Sequence, residues 1–231
     1  MFHPVEQPMR RGWVGRVDGE HVVQLAAQTL QSFFTGGGAA REHAVYPLAE
    51  VRLLAPVLHP PSIRIFESRT TFAFANPAAI LGPASAPGRA DNACNSLLQS
   101  GLVLLPRLAG VVGVDGALGG FTVLAEWRDP ARTPPKDRDF ALGLGPVVVT
   151  ADELNPEGLE AVVRADGREV AGGRLQRFDW GAARDLAADG TRLYPGDLLA
   201  GPALEAVTVS KAARVEIEVA GIGVLDQVVV A

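Results

Sequence analysis

Apolar runs in this sequence are short, and turn residues separate nearly all of them. The longest, 101–105 and 108–114, have the length of a strand. They fall well short of the roughly 18 apolar residues of a membrane-spanning helix. The chain has 231 residues with 26 glycines and 17 prolines, so punctuation is frequent. Short runs bounded by Gly, Pro, Asn and Asp read as strands. Strands are expected over 12–18 and 20–24, joined at Asp18-Gly19, and over 46–56, 71–74, 102–105, 108–112 and 120–126. Further strands are expected over 145–149, 159–165, 169–172, 197–200, 213–219 and 223–230, with a second hairpin turn within 164–169. Helical spacing appears over 25–34, stopped by Gly36-Gly37-Gly38, and over 178–188, stopped by Asp189-Gly190. The glycine run has no following Lys-Ser/Thr and no strand leading into it, so it reads as a helix stop and not as a phosphate cradle. The pattern predicts a mostly β, or α+β, fold with one closed or rolled sheet. Pro56, Pro60 and Pro61 mark a boundary near residue 58, giving an N-terminal β-rich subdomain 1–57 and a larger unit 58–231.

Composition narrows the chemistry. Hydrophobic residues make up 48 % and charged ones 20 %, enough apolar material for a sizeable core. Lys+Arg 21 against Asp+Glu 26 leaves a net charge of −5, with no basic footprint for nucleic acid. The first residues lack a basic segment leading into an apolar one, so a cytoplasmic protein without membrane contact is expected. A single cysteine, Cys94, excludes an intrachain disulfide and a zinc site built from several cysteines. With no histidine after His59, Cys94 reads as an ordinary thiol, because a nucleophilic one needs a nearby base. The lysines are Lys136 and Lys211, and between Glu67 and Asp115 the only carboxylate is Asp91.

The order of local motifs goes further. The segments YPLAEVRLLAP (46–56), FANPAAILGP (74–83), GGFTVLAEW (119–127), RDFALGLGP with VVVTADEL (138–154), GTRLYPGD (190–197) and VEIEVAGIGVL (215–225) stand in sequence. Together they resemble the fumarylacetoacetate hydrolase family. The resemblance implies a mixed β-roll and a homodimer. It also implies Mg²⁺ or Mn²⁺, with hydrolysis, decarboxylation or isomerisation of 2-oxo or 1,3-dicarbonyl acids. Hard cations of that kind take carboxylate ligands. The family pattern supplies two from a Glu-x-Glu strand and one from the Asp of an "ND" pair.

This chain departs from that pattern. Leu105 and Arg107 fall where the two strand carboxylates belong, and Ala125-Glu126 replaces "ND". Arg138 stands for the family lysine before "DF", with Lys136 two residues earlier as the alternative. Gly201-Pro202 replaces a Gly-Thr, and the stretch 62–68 runs into 71–76 without the family's lid histidine. No metal and no other cofactor is therefore expected. The candidate catalytic residues are Glu126, Arg138 and Lys136; Arg107 and Arg64, with Glu67 nearby, would bind a small anionic substrate or ligand through their guanidinium forks, unless Arg107 and Glu126 form a structural ion pair in a filled-in pocket. Glu216-x-Glu218 has metal-ligand spacing but matches the closing strand, where acids face solvent. Asp137 and Asp139 read as a solvated loop pair, and Asp152-Glu153 as a turn. Two readings stay open: an enzyme working without the usual metal, and a non-catalytic subunit that binds a ligand or pairs with an intact homologue.

Overall fold

The computed structural model describes residues 1–84, 101–209 and 214–229. Asp91, Cys94 and Lys211 lie outside the described residues. The chain opens with β1 (Phe2–Pro4), β2 (Gly15–Asp18), β3 (His21–Leu25), α1 (Leu30–Thr35), β4 (Glu42–Pro47) and β5 (Val51–Leu53). Strands β2, β3 and β4 form one antiparallel sheet, and β1 pairs with β5. Asp18 pairs with His21, which leaves Gly19-Glu20 in the turn, and Gly19 takes φ +56° in open space. The first helix is shorter than the periodicity predicts. Leu25 pairs with Glu42 in the sheet, and the Ala26 N–H donates to the Arg41 carbonyl, so 25–28 stays out of the helix. Thr29 then caps it: its Oγ1 accepts from the Ser32 N–H while the Ser32 hydroxyl accepts from the Thr29 N–H. The strand expected over 46–56 is likewise divided, by a 3₁₀ turn at Leu48–Glu50.

The rest of the chain continues with β6 (Ile63–Phe66), β7 (Phe72–Phe74), β8 (Ile80–Leu81), β9 (Leu102–Val112), β10 (Leu118–Arg128) and β11 (Leu142–Thr150). After these come β12 (Glu160–Ala165), β13 (Arg168–Arg174), α2 (Trp180–Ala188), β14 (Leu198–Ala203), β15 (Val207–Val209), β16 (Arg214–Val219) and β17 (Gly223–Val228). The large sheet runs β7-β6-β14-β9-β10-β11-β8, with β15 also paired to β9. A second, antiparallel sheet runs β13-β12-β16-β17. The mostly β architecture is the one the sequence pattern predicts.

The two sheets share a core. Leu104, Val123 and Trp127 of the large sheet meet Val163, Ile217 and Leu225 of the small one. Helix α2 adds Trp180, Ala183 and Ala187 to the same cluster. Asp179 caps that helix through the Ala182 N–H, which is why it starts two residues later than expected. The other face of the large sheet buries Ile63, Ile65, Ala109, Val111, Leu124 and Leu198 against Val57 and Phe34.

Two differences from the sequence reading bear on the site. The runs 102–105 and 108–112 form one eleven-residue strand, β9, with Pro106 inside it. The Pro106 carbonyl accepts from the Leu204 N–H, so its nitrogen faces the same neighbour, where the β14 register shifts between Ala200 and Ala203. A strand interior tolerates proline where the missing N–H meets such an irregularity. Strand β6 was not foreseen. All four of its residues, Ile63-Arg64-Ile65-Phe66, are buried, and a strand this short with a buried arginine gives too brief a pattern to read.

Candidate functional site

Pairing of β9 with β10 brings the candidate residues of these strands together. Leu124 lies opposite Arg107 and Glu126 opposite Leu105, so positions 105, 107 and 126 share one face. The Arg107 side chain is fully buried and Glu126 is 1 % exposed. The Nε of Arg107 donates to Glu126 Oε2 at 2.8 Å, and its Nη2 lies 2.8 Å from the same oxygen. Its Nη1 donates to the Gly201 carbonyl at 2.9 Å and to the Phe66 carbonyl at 3.3 Å. The guanidinium is thus held by a carboxylate and two backbone acceptors, as a buried charge must be.

Glu126 has a second arginine. The Nε of Arg128 donates to Glu126 Oε1 at 2.8 Å. Arg128 was not among the sequence candidates. The signal was available, since residues two apart on a strand share a face. Glu67, just beyond β6, closes the arrangement: its Oε1 accepts from Arg107 Nη2 and from Arg128 Nη2, each at 3.1 Å. The result is a four-membered ring, Arg107–Glu126–Arg128–Glu67, with two positive and two negative groups. Burial pulls Arg128 down, but hydrogen bonds and Coulomb attraction from Glu126 and Glu67 outweigh it and raise its pKa above the ordinary arginine value.

The other candidates lie elsewhere. Arg64 sits on β6 next to Ile65, which packs with Ala109 and Val111 on the Arg107 side of the sheet. Alternation therefore puts the Arg64 side chain on the opposite face from Arg107. There it donates to Ser62 Oγ, approaches Asp197 Oδ2 at 3.9 Å, and lies over the rings of Phe72 and Phe74 at 5.7 and 5.4 Å. Asp197 accepts from the Ser62 hydroxyl and the Tyr194 N–H, both at 2.7 Å, so this residue of the PGD segment anchors a turn. Lys136 and Arg138 lie in the loop between β10 and β11, and their ion pairs are with Asp139 at 2.7 Å and Asp137 at 3.4 Å. Glu126 pairs instead with Arg107 and Arg128. Sequence proximity to "DF" therefore did not translate into a shared cluster with Glu126.

The other acidic pair, Glu216 and Glu218, is partly exposed on β16; Arg164 reaches Glu218 at 2.7 Å and Arg214 reaches Glu216 at 3.3 Å. Among the described residues, no group of three or more His, Cys, Asp and Glu side chains is gathered in a way that could hold a metal ion. A cleft of about 950 Å³ lies between the N-terminal strands and the β9–β10 turn, lined by Phe2, Val22, Leu25, Phe34, Gly119 and Val148 among others. Neither Arg107 nor Glu126 lines it, nor either of two smaller cavities. Among the described residues, no helix is long and apolar enough to cross a membrane.

Comparison with known proteins places the fold. Residues 119–230 match the family model "Fumarylacetoacetate (FAA) hydrolase C-terminal", and residues 9–56 match "Rv2993c-like, N-terminal". A search of curated proteins finds no match. Solved structures similar to this one include maleylpyruvate hydrolase from Sphingobium sp. SYK-6, in complex with manganese(II) ion and pyruvate. Identity there is 20 %, the TM-score is 0.77, and 95 % of this chain and 96 % of that one are covered. A 2-hydroxyhepta-2,4-diene-1,7-dioate isomerase from Mycobacterium marinum matches at 22 % identity and TM-score 0.73, over 94 % and 92 % of the two chains. A 2-keto-3-deoxy-D-arabinonate dehydratase complexed with magnesium and 2,5-dioxopentanoate matches at 17 % identity and TM-score 0.75, over 94 % of each chain. These neighbours, a hydrolase, an isomerase and a dehydratase, share the fold across nearly the whole length. Residues 119–230, with the motifs they carry, form the C-terminal domain of the fumarylacetoacetate hydrolase family.

Proposed function

We propose that this protein keeps the roll of its family without its divalent-metal chemistry, and that it serves as a non-catalytic subunit that binds a small anionic molecule. One observation carries this reading: both oxygens of Glu126 are engaged by guanidinium groups, from Arg107 and from Arg128. Mg²⁺ demands a near-octahedral set of oxygens at about 2.0–2.1 Å. Here the donor set on that face is Glu126 with Leu105 opposite it and Arg107 beside it. Leucine offers no lone pair, and a permanently charged guanidinium repels a cation. These residues do not fit Mg²⁺ or Mn²⁺. A general base must also turn a free lone pair toward its substrate. A buried Glu126 held from both sides is poorly placed for that, and Lys136 and Arg138 are engaged with their own loop's acids.

The ligand class rests on the family and on the two arginines of the ring. The manganese-bound hydrolase carries pyruvate, a small oxo acid. Arginine forks suit a carboxylate without needing a metal. A subunit that has lost the metal site also fits a dimer, with itself or with an intact homologue.

Manganese titration followed by electron paramagnetic resonance, run beside turnover assays on acylpyruvates and oxaloacetate with and without Mn²⁺, tests the proposal. The expected result is no saturable Mn²⁺ binding and no turnover in either condition. Micromolar Mn²⁺ binding that disappears in Glu126→Ala overturns it. Turnover that persists without metal transfers the protein to the metal-free enzyme reading.

A further inference from the structure

The ring has one solvent-facing acid. Glu67 follows β6 in the exposed stretch 67–71, and its side chain is 54 % exposed. The other contacts of the two arginines are committed within the fold. Arg107 spends Nε on Glu126 and Nη1 on the Gly201 and Phe66 carbonyls, and Arg128 spends Nε on Glu126. The Nη2 group of each arginine, which in Arg107 also lies 2.8 Å from Glu126 Oε2, donates to a single outer oxygen, Glu67 Oε1, from 3.1 Å. Two guanidinium N–H groups converging on one point form a receptor for a carboxylate oxygen. One of the two guanidiniums is fully buried, so its charge cannot be left to water. Glu67 neutralises the excess positive charge from a loop position, not from the sheet.

We propose that the Nη2 groups of Arg107 and Arg128 form a carboxylate subsite, and that Glu67 is its built-in occupant, displaced when a small carboxylate binds. The inference rests on the reading above that the ligand is a small anionic molecule, and adds the place where its carboxylate is held and what controls access. The competing group is tethered at the site, so it acts at a high effective concentration. The wild-type protein therefore binds free carboxylates weakly, and the ligand that opens the site must make further contacts. Removing the Glu67 carboxylate leaves the ring one positive charge in excess, with the receptor vacant.

Acetate titration of wild type and of Glu67→Ala, by calorimetry and by melting temperature at matched ionic strength in chloride, tests this. Glu67→Ala is expected to melt below wild type. Acetate, but not chloride, should restore the loss, and Glu67→Ala should bind acetate at least roughly tenfold more tightly than wild type. The gain should vanish in Glu67→Ala/Arg128→Ala. Equal acetate affinity in wild type and Glu67→Ala, equal recovery by chloride, or a gain that survives loss of Arg128 overturns the subsite. If Glu67→Ala does not fold, Glu67→Gln is titrated in the same way, with the same outcomes deciding. The manganese titration is read separately. Failure of acetate rescue without Mn²⁺ binding removes the subsite and leaves the metal-free reading standing. Acetate rescue together with Mn²⁺ binding at Glu126 overturns only the metal-free reading.

Discussion

Two regions of this molecule carry charged side chains two residues apart on one strand face, and they behave differently. On β16 the pair is Glu216 and Glu218, partly exposed and bridged by Arg214 and Arg164. On β10 the pair is Glu126 and Arg128, and with Arg107 and Glu67 it closes a ring in which Arg107 and Glu126 are buried while Arg128 and Glu67 reach the surface. The β16 pair has the spacing a metal site wants, in a place where water already satisfies it. The β10 pair sits on the face of the large sheet that also carries Leu105 and Arg107, so its acid meets an arginine and not a second carboxylate. Spacing identifies residues that share a face, whereas burial decides what sharing that face costs. A charge in water is solvated whether or not it has a partner; a charge in the core must be neutralised by a neighbour.

Breaking one partner in each region should therefore give unequal results. Glu126→Ala leaves Arg107 without its buried carboxylate and with only the half-exposed Glu67 as counter-charge, and the expected loss of stability is about 3–5 kcal/mol, measurable by urea denaturation. A loss no larger than that of a surface substitution would show that water reaches Arg107. The double variant Arg107→Met/Glu126→Leu sharpens the comparison. Replacing both charges removes the uncompensated one, but the Gly201 and Phe66 carbonyls lose their donor. The double variant should recover part of the single variant's loss and remain about 1–3 kcal/mol below wild type. A double variant less stable than Glu126→Ala would mean that the carbonyl contacts, and not the ion pair, dominate. Glu218→Ala should leave the melting temperature within experimental scatter, and any residual effect should fade as salt is raised. A salt-insensitive loss there would erase the distinction between the two regions.

Much of the fold was readable because turns and alternation are local. The hairpin between β12 and β13 shows it: Asp166 and Gly167 take φ +49° and +76°, the conformation that an Asp-Gly turn favours. Elements whose signals depend on neighbours were harder to read. Strand β6 is only four residues long and is buried on both faces, arginine included. The first helix lost its opening residues to the sheet, because Leu25 had a partner in Glu42. Pro106 looked like a strand break until β14 supplied an irregularity opposite its missing N–H.

The candidate site divides in the same way. Arg107 and Glu126 were found from the motif order, and cross-strand pairing brings them to 2.8 Å. Arg64 was grouped with them on residue type alone, and strand alternation put it on the other face with Asp197. Lys136 and Arg138 were grouped by a neighbouring motif, and they pair within their own loop. The sequence by itself determined the family resemblance, the mostly β class, and the presence of Leu105 and Arg107 on the central strand, because motifs and residue identities are written directly in the chain. Only the tertiary structure decided that Arg128 and Glu67 complete the charge balance. That balance depends on which groups meet around the buried Arg107, and residues 67, 107 and 126 come from three different strands or strand ends that only the sheet brings together.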